Sequence, residues 1–184
     1  MYIKTSVIML RNFQVFFKIL LFALVLASCQ QPKPTVTLET EKGSIIVELY
    51  PEVAPKTVEN FATLIGQKFY DNLKFHRYVP GFVIQGGCPK GDGTGGPGWE
   101  IFGEFQDPVL LKLMPKHEKG VVSMARSRNP DSAGSQFYIC LGDAPHLDGK
   151  YTSFGRVVTG IEIIDQLRKN DKMIKVTIDN YETN

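Results

Sequence analysis

Short runs rich in β-branched residues, separated by polar and glycine-containing turns, set the pattern of the chain from residue 35 onward. Val36-Thr37-Leu38-Glu39 and Ile45-Ile46-Val47-Glu48-Leu49 read as strands, and Glu41-Lys42-Gly43 between them can turn, which predicts a hairpin. Pro55 to Gln67 has a different period. Val58, Phe61, Ala62 and Ile65 form one apolar stripe, Pro55 suits a first helical turn and Gly66 stands near the stop, so a helix is expected. Further strands are expected at Phe75–Val79, Phe82–Gln85, Val121–Ala125, Gln136–Leu141 and Thr152–Val158. Thr159-Gly160-Ile161-Glu162 matches a capping box, which predicts a second helix running to about Lys169. Ile174, Val176 and Ile178 alternate with polar residues in a closing strand. Many short strands, a helix near each end and no regular β-α alternation predict a mainly β fold. An antiparallel barrel or sandwich with helices as lids fits; a doubly wound sheet does not.

The segment before residue 35 reads as an address. Lys4, Arg11 and Lys18 form a basic leader, and Ile19 to Ala27 is an unbroken apolar run. That run is shorter than the roughly 20 residues a spanning helix needs, and it suits the core of a secretory signal. It ends Leu26-Ala27-Ser28-Cys29, which resembles the bacterial lipobox. Small residues fit the peptidase pocket just before the cut, and the Cys29 thiol is the nucleophile that accepts the lipid. Two or three acyl chains anchor stably at roughly 0.8 kcal/mol per buried methylene. The alternatives are a plain cleaved signal with a chance cysteine and an uncleaved signal anchor. Residues 1–28 are therefore expected to be a lipoprotein signal peptide, 29–34 a lipidated cysteine with a polar, proline-rich tether, and 35–184 the folded domain. The protein is then exported and membrane-anchored, facing the periplasm or the cell surface.

Composition narrows the partners. Of the 21 basic side chains three lie in the leader, and none of the 19 acidic ones does, so the rest of the chain carries a net charge near −1. A near-neutral domain gives no electrostatic case for binding nucleic acid. His76, His117, His146 and the cysteines show no metal-ligand spacing, and nothing resembles a serine or cysteine triad. Gly91-Asp92-Gly93-Thr94-Gly95-Gly96 satisfies a dinucleotide-loop pattern, but Pro97-Gly98-Trp99 follows where a helix should open. Cys88 and Cys140 are compatible either with a disulfide formed after export or with two buried free thiols.

The run Phe75-His76-Arg77, then Pro80-Gly81-Phe82-Val83-Ile84-Gln85-Gly86-Gly87, resembles the signature of the cyclophilins. Gly93-Thr94-Gly95-Gly96, Ser123-Met124-Ala125, Gly134-Ser135-Gln136-Phe137-Tyr138-Ile139, Leu147-Asp148-Gly149-Lys150-Tyr151 and Phe154-Gly155 continue it in order. The resemblance covers essentially Val36 to the C-terminus. It implies an eight-stranded antiparallel barrel capped by two helices, with a proline-binding groove on its outer face. The implied activity is peptidyl-prolyl cis–trans isomerisation without metal or cofactor, acting on proline-containing segments of exported proteins as they fold. The rival is a module that binds such segments as a chaperone with little turnover.

By the same resemblance Arg77 is the catalytic arginine and Gln85 the residue that holds its guanidinium, with Gln136 in the same polar patch. Phe82, Val83, Tyr138 and Leu147 match the apolar seat of the proline ring. Ala125 and Arg126 match a segment whose backbone holds the substrate extended. His146 stands where many members carry tryptophan, which predicts weak binding of cyclosporin. Tyr138 replaces a phenylalanine, Tyr151 edges the pocket where eukaryotic members carry histidine, and Arg126 replaces an asparagine. His76 precedes Arg77 on the presumed strand and is expected to point to the opposite face as a structural histidine.

Overall fold

The computed structural model describes residues 32–181; the leader and Cys29 lie outside them. β1 (Thr35–Thr40) and β2 (Gly43–Leu49) form the expected hairpin, Leu38 opposite Ile45. Val36, Leu38, Ile45, Val47 and Leu49 all point into the core, as the period of two requires. The Thr40 hydroxyl donates to the Gly43 carbonyl and accepts from the Lys42 amide, and Gly43 takes φ 134°, a value that favours glycine. The folded unit already takes hold at Lys33. Its ammonium meets Glu48 at 2.8 Å and lies over the Tyr50 ring, and the Pro34 carbonyl accepts from the Leu49 amide.

The remaining strands are β3 (Arg77–Val79), β4 (Val83–Gly86), β5 (Val121–Met124), β6 (Phe137–Cys140), β7 (Ser153–Thr159) and β8 (Met173–Asp179). All pair antiparallel in the order β3-β4-β6-β5-β7-β2-β1-β8, a sheet curved into a half-barrel. Its edges meet at one end, where Asn72 and Phe75 donate to the carbonyls of Met173 and Asp171, and Met173 and Asn170 donate back to Leu73 and Phe75.

Helix α1 (Pro55–Gly66) covers this sheet with Val58, Phe61, Leu64 and Ile65. The Phe61 ring meets those of Tyr70, Phe137 and Phe154 at centroid distances of 4.9, 5.3 and 5.2 Å. Ala54 at the N-cap offers no side chain to the helix. Glu104, from the 3-10 turn Glu104–Gln106, supplies the cap instead. Its buried carboxylate accepts from the amides of Lys56 and Thr57 at 2.8 and 2.9 Å and from the Thr57 hydroxyl.

Three features differ from expectation. Among the described residues there are three helices, not two caps. α2 (Pro108–Leu113) lies in a connection that shows no helical period, because none of its residues is buried; Asp107 starts it by accepting from the Val109 and Leu110 amides. α3 covers only Ile161–Ile164 and does not reach Lys169. Gly160 precedes it with φ 85° and no side chain caps it, so the capping box does not form. In β8 a bulge opposite Glu39–Thr40 shifts the register, so Met173 is buried and Ile174 faces solvent.

Candidate active site

Strand pairing assembles the polar half of the site. Arg77 opens β3 directly opposite Gln85 on β4, and Gln85 in turn lies opposite Tyr138 on β6. Period-two alternation places Arg77 at the surface while the preceding His76 is 8% exposed. The Arg77 guanidinium reaches the Gln85 Oε1 at 3.5 Å, and the Gln85 Nε2 donates to the Gln136 Oε1 at 3.0 Å. Gln136 Nε2 then donates to two carbonyls, Gly93 at 2.9 Å and Gly95 at 2.8 Å. Those last two bonds fix the sense of the whole chain. A flipped Gln136 amide would set its oxygen against two carbonyl oxygens.

The apolar half comes from the β3–β4 turn, β6 and the segment after it. Val83, Tyr138 and Leu147 are buried in a cluster of their own, and Phe82, Ala125 and Tyr151 pack on it from outside. They enclose, with Arg77 at the mouth, a pocket of about 160 Å³. Gln85, Ala125 and Arg126 form the ridge between this pocket and a wider depression of about 850 Å³ that Gln136 and the glycine loop also line. His146 lines neither. It stands exposed on the rim, its ring stacked on Phe82 at 5.3 Å and 27°, and the Arg77 guanidinium lies 5.9 Å from the centre of the Phe82 ring.

Arg126 is committed within the protein. Its Nε and one terminal nitrogen donate to the Lys150 carbonyl at 3.0 and 2.7 Å, and the other nitrogen donates to the carbonyls of Ser127 and Arg128. The guanidinium also lies over the rings of Tyr151 and Phe105 at 4.6 and 5.0 Å. Arg126 thus ties three loops together along one wall of the groove.

Behind the apolar seat lies a polar strut with no counterpart in the sequence reading. His117 Nδ1 is 2.9 Å from Asp148 Oδ1, and its Nε2 is 3.2 Å from the Ser123 hydroxyl, with the His117 ring stacked on that of Tyr138. Acid, imidazole and hydroxyl stand in the order of a hydrolytic triad, but Ser123 is fully buried and donates to the Thr152 carbonyl, so no substrate reaches it. The separation of 31 positions between His117 and Asp148 hides the pair from any spacing rule. Burial pushes the Tyr138 phenol upward, and the neighbouring Ser123 hydroxyl opposes this without reversing it. Cys88 and Cys140 are free and buried. Among the described residues no three His, Cys, Asp or Glu side chains are placed to hold a metal ion.

Burial lowers the pKa of both His76 and His117; the Asp92 carboxylate opposes this at His76 and Asp148 opposes it at His117, without reversing it. In the unfolded chain both return to about 6.5. Below about pH 6.5 the unfolded state therefore binds protons that the native state resists, and stability that is full above this value falls as the pH drops toward the lowered native values. Urea midpoints measured at a series of pH values should decline on acidification through this window, less steeply in His76→Gln. Midpoints that hold level to pH 5 would contradict neutral burial.

The chain matches the family described as "Cyclophilin type peptidyl-prolyl cis-trans isomerase/CLD" over residues 35–183. It is 45% identical to a "Peptidyl-prolyl cis-trans isomerase" of Helicobacter pylori over 137 residues, 73% of this chain and 80% of the relative. It is 47% identical to "Peptidyl-prolyl cis-trans isomerase B" of Bacillus subtilis, covering 74% of this chain and 92% of the relative. A crystal structure of a Cryptosporidium parvum cyclophilin type isomerase, in the presence of the dipeptide Ala-Pro, superposes with a TM-score of 0.68 at 30% identity, covering 79% of this chain and 98% of that one. The chain therefore belongs to the cyclophilin-type peptidyl-prolyl cis–trans isomerases, and its activity is the interconversion of cis and trans X–Pro bonds.

Proposed function

We propose that Arg77 is the catalytic donor of this isomerase, held by Gln85, with the proline ring seated on Phe82, Val83, Tyr138 and Leu147. Rotating an X–Pro bond breaks amide resonance, a barrier of roughly 18–20 kcal/mol. In the twisted state the prolyl nitrogen regains its lone pair and accepts a hydrogen bond that the planar ground state does not. A fixed cationic donor at that point favours the transition state over the ground state. The observation that carries the reading is the one-way amide chain from Gly93 and Gly95 through Gln136 and Gln85 to Arg77, ending beside the pocket that Phe82, Val83, Tyr138 and Leu147 line. The backbone of Ala125 and Arg126 holds the peptide extended along the ridge, with Gln136 beside it and Tyr151 and His146 on the borders. Neither proton transfer nor a cofactor enters the step.

A protease-coupled isomerisation assay on an Ala-Pro peptide tests this reading. Acceleration proportional to enzyme supports it. Tight peptide binding without acceleration would favour a binding module, a role for which the Arg77 chain has no evident use.

The proposal extends to place. The basic leader, the apolar run Ile19–Ala27 and the box Leu26-Ala27-Ser28-Cys29 support an exported lipoprotein whose clients are exported proteins folding near the membrane. Residues 29–32 are then the tether, since Lys33 is already bound to the folded unit. Cys29→Ser should move the protein from the membrane fraction to the soluble one. An unmodified Cys29 or an intact Met1 in the mass of the native protein would contradict the anchor.

A further inference from the structure

We infer that Cys88 is a positioning residue for the isomerase reaction: its sulfur gathers the loop Gly91–Gly95 into the one shape that anchors Gln136 and, through Gln85, aims Arg77. This deepens the reading of Arg77 as catalytic donor and rests on it. Cys88 is fully buried, and its sulfur accepts from the amides of Gly93 and Gly95, both at 3.2 Å. Its thiol faces the Asp92 carboxylate at 3.7 Å, and the same Asp92 oxygen accepts from the Thr94 amide and hydroxyl. The loop is therefore wound around one sulfur atom, with Gly91 and Gly93 at φ 70° and 89°.

The two residues whose amides the sulfur holds are the two whose carbonyls hold Gln136. Sulfur, loop and amide chain form one continuous set of hydrogen bonds ending 3.5 Å from the Arg77 guanidinium. Loss of the acceptor leaves the Gly93 and Gly95 amides without a partner and frees their carbonyls to turn from Gln136. Burial pushes the Cys88 thiol up, but the converging backbone amides of Gly95, Asp92, Gly93 and Lys90 outweigh it and leave the thiol below its ordinary value. Cys140 shows the contrast. It packs among apolar side chains on the other side of the seat, and burial pushes its thiol up to about 12. One cysteine fills space; the other organises donors.

The test uses the full chain with Cys140 intact and three replacements. Cys88→Ala removes the acceptor. Cys88→Val removes it while filling the space with a somewhat larger apolar side chain, so that a cavity is not the cause of any loss. Cys88→Ser keeps an acceptor and a donor. Ala and Val should lower kcat about tenfold with KM within about twofold, while Ser stays within about threefold of the unmutated enzyme. The side-chain amide signals of Gln136 in nitrogen–proton spectra should move in Ala and Val and return in Ser. Unmoved Gln136 signals, turnover within threefold in both Ala and Val, or equal damage by Ser would each overturn the role of Cys88. Arg77→Ala made in parallel separates the two ideas. If it loses turnover while the Cys88 variants do not, only the positioning role fails; if it keeps turnover, the reading of Arg77 itself fails.

Discussion

Replacing Arg77 with alanine should lower kcat/KM by about 10²–10³-fold while leaving the fold intact. The magnitude follows from what one preorganised donor contributes to a developing acceptor, roughly 2.7–4 kcal/mol. An acceleration of about 10⁵-fold requires lowering the barrier by about 7 kcal/mol, so this one donor would supply near half of it. The loss should fall on kcat, because the nitrogen accepts only when twisted, and KM should change little. Stability should hold, since Arg77 is exposed and its ties are one long bond to Gln85 and contact with the Phe82 ring. Arg77→Lys should recover only part of the activity, because a point charge on a flexible stem lacks the planar fork that Gln85 steadies. Isomerase rates and circular dichroism measured together decide the matter. Activity within about threefold, worth only ~0.7 kcal/mol, would remove Arg77 from the chemistry.

How much of this is legible in the sequence depends on whether a residue's role shows in its neighbours along the chain. The β1–β2 hairpin and α1 bury what their periods say they bury, so both were visible. α2 was not, since its Val109 and Leu113 are exposed and no stripe marks a buried face; the only local sign was Asp107 before Pro108. The helix expected to reach Lys169 stops at Ile164. Beyond it only Leu167 is buried before the turn at Asn170, which takes φ 78°. Ile174 seemed to lead an apolar face in β8, but a bulge is a property of the paired strand and cannot be read from one strand's alternation.

The same limit divides the site. Arg77, Gln85 and the Phe82 turn lie within a few residues of one another and form a motif. Gln136 reaches them across 51 residues and entered the sequence reading only by resemblance. Glu104 caps a helix 48 residues away, and the Asp148–His117–Ser123 strut joins two loops to β5 beneath the seat. Apart from the short His117–Ser123 step, these are long-range hydrogen bonds between polar residues that local pattern treats as ordinary surface. Such residues become visible only when burial shows that their polar atoms need partners.

The rim offers the second large effect. His146→Trp should tighten cyclosporin binding about 50–100-fold with little change in small-peptide turnover. The two ligands ask different things of the surface. On the proposed reading a short peptide needs the seat around Phe82, Val83, Tyr138 and Leu147 and the donor Arg77, and His146 lines neither depression that would receive it. A bulky macrocycle spreads over the rim, where His146 lies exposed on Phe82 with its ring 27° from parallel. An indole in that place can stack on the same ring, extends farther, and carries an N–H donor. About 60 Å² of further apolar contact at roughly 25 cal/mol per Å² gives ~1.5 kcal/mol. A hydrogen bond to the ligand adds about 1 kcal/mol, and the two together correspond to the stated range. The backbone should tolerate the change, because the carbonyl of residue 146, not its side chain, receives the Lys150 ammonium at 2.9 Å. Titrating both proteins with the drug while following isomerase activity reads both effects in one experiment. Nanomolar inhibition of the unmutated enzyme would mean that the histidine rim already suffices. No tightening in His146→Trp would mean that the macrocycle does not reach this edge of the groove.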